Sequence, residues 1–223
     1  PSVYPNLPYD PVKDFAPVSL VASAPSVLVV NPALPARSLA ELTALAKSGP
    51  GKLNYATNGN GSSSHLATVL YETMAGVQMV HVPYKGLAPA MTDILSGQVQ
   101  LMFSSIVALV PQVKAGKVRA LAVTSRKRAS LLPDVPTLDE SGLKGYEAGS
   151  WYGILVPAGT PKEIIARLNA EIVRAIRQPD MRERLASEGA EPVGGTPEEF
   201  AAKLNADVLA WRKIIDEAGI KAE

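Results

Sequence analysis

The sequence contains no cysteine and only two histidines, His65 and His81. That excludes disulfide frameworks, thiolate nucleophiles, thiolate zinc sites and Cys-ligated iron–sulfur clusters. With two imidazoles as the only nitrogen ligands, no metal site is expected. Charge of one sign is also lacking: Lys and Arg total 22 against 21 for Asp and Glu, a net +1. No general attraction to nucleic acid follows from such a balance. Long apolar runs are missing too. The longest candidate, 18–30, is broken by Ser19, Ser23, Pro25 and Ser26, far short of the ~20 apolar residues that cross a bilayer. What remains is 223 residues, 47% hydrophobic and 19% charged, enough chain for one large domain or two small ones at about 150 residues each.

The first 17 residues carry Pro1, Pro5, Pro8, Pro11 and Pro17. Fixed φ angles and missing donors predict an extended surface segment there. Two β-rich runs, VSLVA and SVLVV, follow with Ala24 and Pro25 between them, which predicts a strand that passes between two lobes. Ser38 and Glu41 form a capping-box pair ahead of a helix with Leu39, Leu42, Leu45 and Ala46 on one face. Four short β-like segments then recur at 53–57, 79–83, 99–103 and 118–124, with helical patterns at 65–74, 88–95 and 106–115 between them. This alternation predicts parallel βαβ units. After an irregular stretch to Gly149 and the strand WYGILVP, the pattern turns helical. Thr160, Pro161 and Glu163, and again Thr196, Pro197 and Glu199, supply a cap, a first-turn proline and a capping-box acid. The expected organisation is α/β, with residues 1–26 and 153–223 in one lobe and residues 27–152 inserted as another.

Chemistry concentrates at the carboxyl ends of the predicted strands. The segment LNYATNGNGSSSHL ends a strand, turns through Asn58, Gly59, Asn60 and Gly61, and reaches Ser62, Ser63 and Ser64 at a helix start. Backbone N–H groups, hydroxyls and the helix dipole there suit a carboxylate or phosphate, although turn-making and capping account for the same residues. The GK[ST] ending of a phosphate-binding P-loop is absent. A second loop brings Tyr84, Lys85 and Gly86, and Ser104 and Ser105 end a third strand; each has an ordinary packing or surface role as its alternative. Three polar loops on one rim of a sheet define a candidate cleft. Adjacent Ser62 to Ser64 and His65 raise a hydrolase as a rival, but no GxSxG elbow accompanies them.

The motifs NYATNGNGSSSHLA, VHVPYKGLAPAMTDILSGQVQLMF, VRALAVTSRKR, LPDVPTLDESGLKGYEAGSWYGILVPAGTP and EPVGGTPEEF, in this order, resemble the Bug-type (TctC-like) solute-binding proteins of the tripartite tricarboxylate transporters. The resemblance implies a periplasmic-binding-protein type II-like, two-lobed Venus flytrap. Such a receptor has no catalytic residues and no cofactor, and it captures a dicarboxylate, tricarboxylate or aromatic acid between its lobes. It implies membrane permease subunits as partners, a sensor kinase being the alternative. It places ligand binding at Asn58, Gly61, Ser62, Ser63, Ser64, His65, Tyr84, Lys85, Gly86 and Ser104, with Trp151 as hinge or pocket wall. Many relatives carry Asp where Ser104 stands, so an amino-acid ligand is disfavoured. The signal peptide and first mature strands of the family pattern are not in this sequence. The expectation is therefore an incomplete first lobe, with a homodimer or domain exchange as its consequence.

Overall fold

The computed structural model describes residues 2–3 and 7–220; Pro1 and Pro5 of the expected extended lead lie outside them. The chain forms two compact units. One is built from residues 1–24 and 151–223, the other from residues 25–150.

The second unit is a sheet with helices on both faces. Its strands are the C-terminal part of β1 (Phe15–Val30), then β2 (Asn54–Thr57), β3 (Val80–Pro83), β4 (Leu101–Ser105) and β5 (Arg119–Val123), in the order β3-β2-β4-β1-β5. β2 runs parallel to β3 and to β4, while β4 and β5 are each antiparallel to β1. The four strands expected to be parallel therefore share one direction. β1 is wedged between β4 and β5 in the opposite sense, a pairing that strand–helix alternation does not encode.

Val27 to Val30 are fully buried, as a strand covered on both faces must be. Alternation then sorts the side chains. Val27, Val29, Ala56, Met102 and Val123 form one core with Ala90 and Ile94 of α3 (Leu87–Ser96) and Ile106 and Leu109 of α4 (Ile106–Lys114). On the opposite face, Phe103 of β4 packs between Tyr71 of α2 (Ser63–Ala75) and Tyr146, at centroid distances of 6.2 and 6.4 Å. Tyr71 also shares a 2.9 Å hydrogen bond with Thr43 of α1 (Leu39–Ser48).

The first unit is built on the N-terminal part of β1, which pairs with β6 (Gly149–Pro157) and antiparallel with β7 (Glu191–Pro192). Its helices are α5 (Lys162–Ile176), α6 (Pro179–Ser187) and α7 (Pro197–Ala218). Asn169 of α5 donates to the carbonyls of Val18 and Gly195, each at 2.8 Å, which fastens the helix to β1. Gly153 of β6 lies against Phe200 of α7, so closely that a Cβ would meet the ring.

Three local expectations differ from what forms. Residues 11–13 of the proline-rich lead form a turn, because the Asp10 carboxylate accepts from the Val12 and Lys13 N–H groups, and Phe15 to Pro17 already belong to β1. Thr160 does not cap α5: its hydroxyl donates to the Pro157 carbonyl, and Pro161 occupies the cap position. Glu41 accepts from the Arg37 N–H at 2.7 Å and Ser38 from the Glu41 N–H, so that acid reaches one residue beyond its cap. The Thr196 and Glu199 box is complete.

Candidate functional site

Because β2, β3 and β4 run in one direction, their carboxyl ends share one edge of the sheet in the second unit. The segments leaving them carry Asn58 to Ser62, Tyr84 to Gly86, and Ser105.

The first loop is held by its own side chains. The Asn58 N–H donates to Ser64 Oγ at 3.0 Å, Ser62 Oγ donates to the Gly59 carbonyl at 2.7 Å, and the two hydroxyls lie 3.0 Å apart. With the Ser62 proton committed to Gly59, Ser64 is the donor to Ser62. The chain of bonds runs from Asn58 through Ser64 and Ser62 to Gly59. Ser62 is also the N-cap of α2, accepting from the His65 N–H at 3.3 Å. Gly61, at φ +67°, sits in the left-handed region that favours glycine, and its N–H donates to His65 Nδ1 at 3.1 Å.

These bonds divide the expected cradle into two groups. Ser64 and His65 are buried, 2% and 7% exposed, and Ser62 is half-buried; their side chains shape the loop. Ser63 and Asn58 are exposed. Ser63 and Ser64 are the first two residues of α2, where N–H groups have no intrahelical acceptor and meet the positive end of the dipole. What the loop offers an anion is thus chiefly backbone.

Two residues that sequence reading did not assign to the site support it. Thr57, fully buried at the end of β2, bonds His81 Nε2 at 2.6 Å and its carbonyl accepts from the Tyr84 N–H at 3.0 Å. The ring of His81 stacks on His65 at 3.9 Å and on Tyr55 at 5.1 Å. Only the strand alternation that puts Tyr55 and Thr57 beside His81 hinted at this layer. Burial, with the neighbouring His81, lowers the His65 pKa to about 4, and burial lowers that of His81. Both rings are neutral at pH 7.

On the second loop, the half-buried Tyr84 donates its hydroxyl to Asp93 at 2.7 Å; burial and that carboxylate push its pKa up to about 12. Lys85 is exposed, and Gly86 caps α3 at φ +107°. Ser104 is buried inside β4, and Ser105, one residue on, is the exposed serine of that rim. Trp151 belongs to the first unit, where its indole N–H donates to Asp207 at 2.8 Å and its ring meets Phe200 edge-on at 5.4 Å.

His65 Nδ1 is taken by Gly61 and His81 Nε2 by Thr57, so neither nitrogen serves a serine hydroxyl. Stacked rings also cannot converge on one ion, and among the described residues no group of three or more His, Asp or Glu gathers as a metal site.

A sheet with helices on both faces, entered through a strand shared with a second unit and carrying a serine-rich helix start at its carboxyl edge, defines a type II-like periplasmic-binding-protein fold. Residues 1–220 match the family described as the tripartite tricarboxylate transporter family receptor, TctC, and the chain belongs to that family. It is 42% identical over 220 residues to a protein of the tcbD-tcbE intergenic region of Pseudomonas sp. strain P51, covering 98% of this chain and 66% of that one. Protein BugT of Bordetella pertussis is 36% identical, with 99% and 68% covered. The chain thus spans about two thirds of the length of these curated relatives. Among solved structures, R. palustris Rpa4515 with adipate superposes with a TM-score of 0.82 at 39% identity, over 99% of this chain and 74% of that one. MatC from Rhodopseudomonas palustris with bound malate gives 0.76 at 35%, over 96% and 74%.

Proposed function

We propose that this protein is a non-enzymatic periplasmic receptor for a small organic carboxylate, which it delivers to the membrane permease subunits of a tripartite tricarboxylate transporter. The observation that carries the reading is the α2 start. The Ser62 and Ser64 hydroxyls are spent on the loop's own fold, leaving the Ser63 and Ser64 N–H groups and the exposed Ser63 side chain at the dipole's positive end. Backbone donors there favour carboxylates. Adipate and malate in the two Rhodopseudomonas relatives make a dicarboxylate the first class to try. Tyr84, Lys85, Gly86 and the Ser104–Ser105 strand end stand on the same rim as further ligand-binding candidates.

The test removes the Ser63 N–H together with the Ser63 hydroxyl and leaves the helix; Ser63→Ala, which keeps the N–H, is the reference that isolates the backbone donor. Ser63 is the first helical residue, where proline is well tolerated, and Ser62 at φ −65° and ψ 161° already has the extended conformation that must precede proline. Ser63→Pro should lower affinity for adipate or malate, read by calorimetric titration, about tenfold or more, with the midpoint of thermal unfolding unchanged. Equal affinity in the native and Ser63→Pro proteins would remove Ser63 from the site.

A further inference from the structure

We propose that His65 is the positioning residue of this loop: its neutral ring, stacked on His81, accepts the Gly61 N–H and holds Gly61 against the first turn of α2, and protonation releases that bond. A ring nitrogen accepts only through a free lone pair, so the 3.1 Å bond to Gly61 exists only while Nδ1 carries no proton. Two further contacts oppose protonation. The His81 ring lies 3.9 Å away, where two positive rings repel, and the start of α2 is the positive end of its dipole.

Among the described residues the elements packed around the ring place no carboxylate directly against it. From β2 comes Tyr55, whose hydroxyl is bonded to Glu72 of α2. That carboxylate also accepts from the Met79 N–H at 2.7 Å, and burial raises its pKa. From β3 comes His81, bonded to Thr57. The β4 segment, Leu101–Ser105, brings no titratable side chain. Tyr146, which reaches α2 from a later loop, spends its hydroxyl on the Ala67 carbonyl. When His65 takes a proton, Gly61 loses its acceptor, and the loop residue next to the Ser62 cap is released. The effect on carboxylate binding rests on the receptor reading above, whereas the latch itself does not.

The experiment follows the Gly61 amide and the two imidazoles by NMR in the whole, uniformly labelled chain from pH 7.5 to 3.5. The Gly61 amide should titrate with the His65 ring, with a midpoint near 4. In His65→Asn the side-chain oxygen takes the place of Nδ1 without titrating, so the Gly61 amide should stay still. In His65→Phe it should sit at its released position at every pH; if that variant does not fold, the Asn variant decides alone. A Gly61 amide that ignores His65, or that titrates equally in His65→Asn, overturns the proposal. With adipate as probe, affinity of the native protein relative to His65→Asn should fall about twofold by pH 4 and about fourfold by pH 3.5, since binding then excludes a proton. The ratio cancels the ionisation of adipate itself. If Gly61 tracks His65 while neither protein binds adipate or malate at pH 7, the latch stands and the receptor reading fails.

Discussion

The two units bury their residues differently. In the unit of residues 25–150, four consecutive strand residues, Val27 to Val30, are wholly buried and helices cover both faces of the sheet. In the unit of residues 1–24 and 151–223, α5 buries only Ile176, α6 buries nothing and α7 buries Phe200 and Ile215. Tyr152, Ile154, Ile164, Leu168, Val193 and Leu209 there are all more than a third exposed. A site whose donors must be held to fractions of an ångström is better carried by the first kind of unit than by the second. The candidate anion loop is in that unit, between a fully buried Thr57 and a fully buried Thr68.

The sharpest way to break this contrast is to excavate each unit. Phe103→Ala removes a ring packed between Tyr71 and Tyr146 and should cost about 3–5 kcal/mol in urea unfolding. Tyr152→Ser on the exposed side of β6 should change stability by less than about 0.5 kcal/mol. Gly153→Ala comes next, because its Cβ would meet the Phe200 ring; an overpacking cost of about 1–3 kcal/mol is expected. Both tryptophans, Trp151 and Trp211, belong to the same unit as Gly153. The loss should therefore appear in tryptophan fluorescence at lower urea than in the tyrosine signal of the other unit.

Smaller effects sharpen the account of the loop. Ser64→Ala leaves the Asn58 N–H without its acceptor and takes one of its donors from the Ser62 hydroxyl, and should cost about 1–2 kcal/mol. Acidification should act in the same unit. His65 and His81 have pKa values below those of unfolded histidine, so the unfolded chain binds more protons and stability falls as pH drops from about 6.5. For His65 the fall ends near pH 4. Urea midpoints at pH 7, 5.5 and 4.5 should show a slope that His65→Asn reduces. The smallest change should come from Glu147→Gln. It removes an ion pair with Arg126 in which both side chains are about half exposed or more, so the urea midpoint should not move measurably in the same assay.

Much of this architecture was legible locally. Strand–helix alternation placed β2 to β5 in one direction, and the Asn-Gly turn followed by serines marked the start of α2. Capping chemistry read Thr196 correctly: its hydroxyl accepts from the Glu199 N–H and completes the box. It misread Thr160, where the Pro157 carbonyl competes for the hydroxyl. The insertion of β1 between β4 and β5 depends on pairing between residues about 70 to 96 positions apart, which no local period encodes. The same applies within the site. His65 and Gly61 are neighbours in sequence, yet the stack on His81 and the Thr57 bond arise only when β3 is laid beside β2. The sequence reading placed hydroxyls beside backbone N–H groups at this helix start, whereas Ser62 and Ser64 turn their hydroxyls inward to each other and to the loop backbone.

The central claim is that carboxylates bind at the backbone donors opening α2. Its most direct test is to add adipate or malate to the labelled chain at pH 7 and map the amides that shift. The account predicts saturable changes largest at Ser63 and Ser64, with smaller ones at Gly61 and along Tyr84 to Gly86. Saturable changes elsewhere in the chain with residues 58–65 unmoved, or no change with either acid at millimolar concentration, would contradict it.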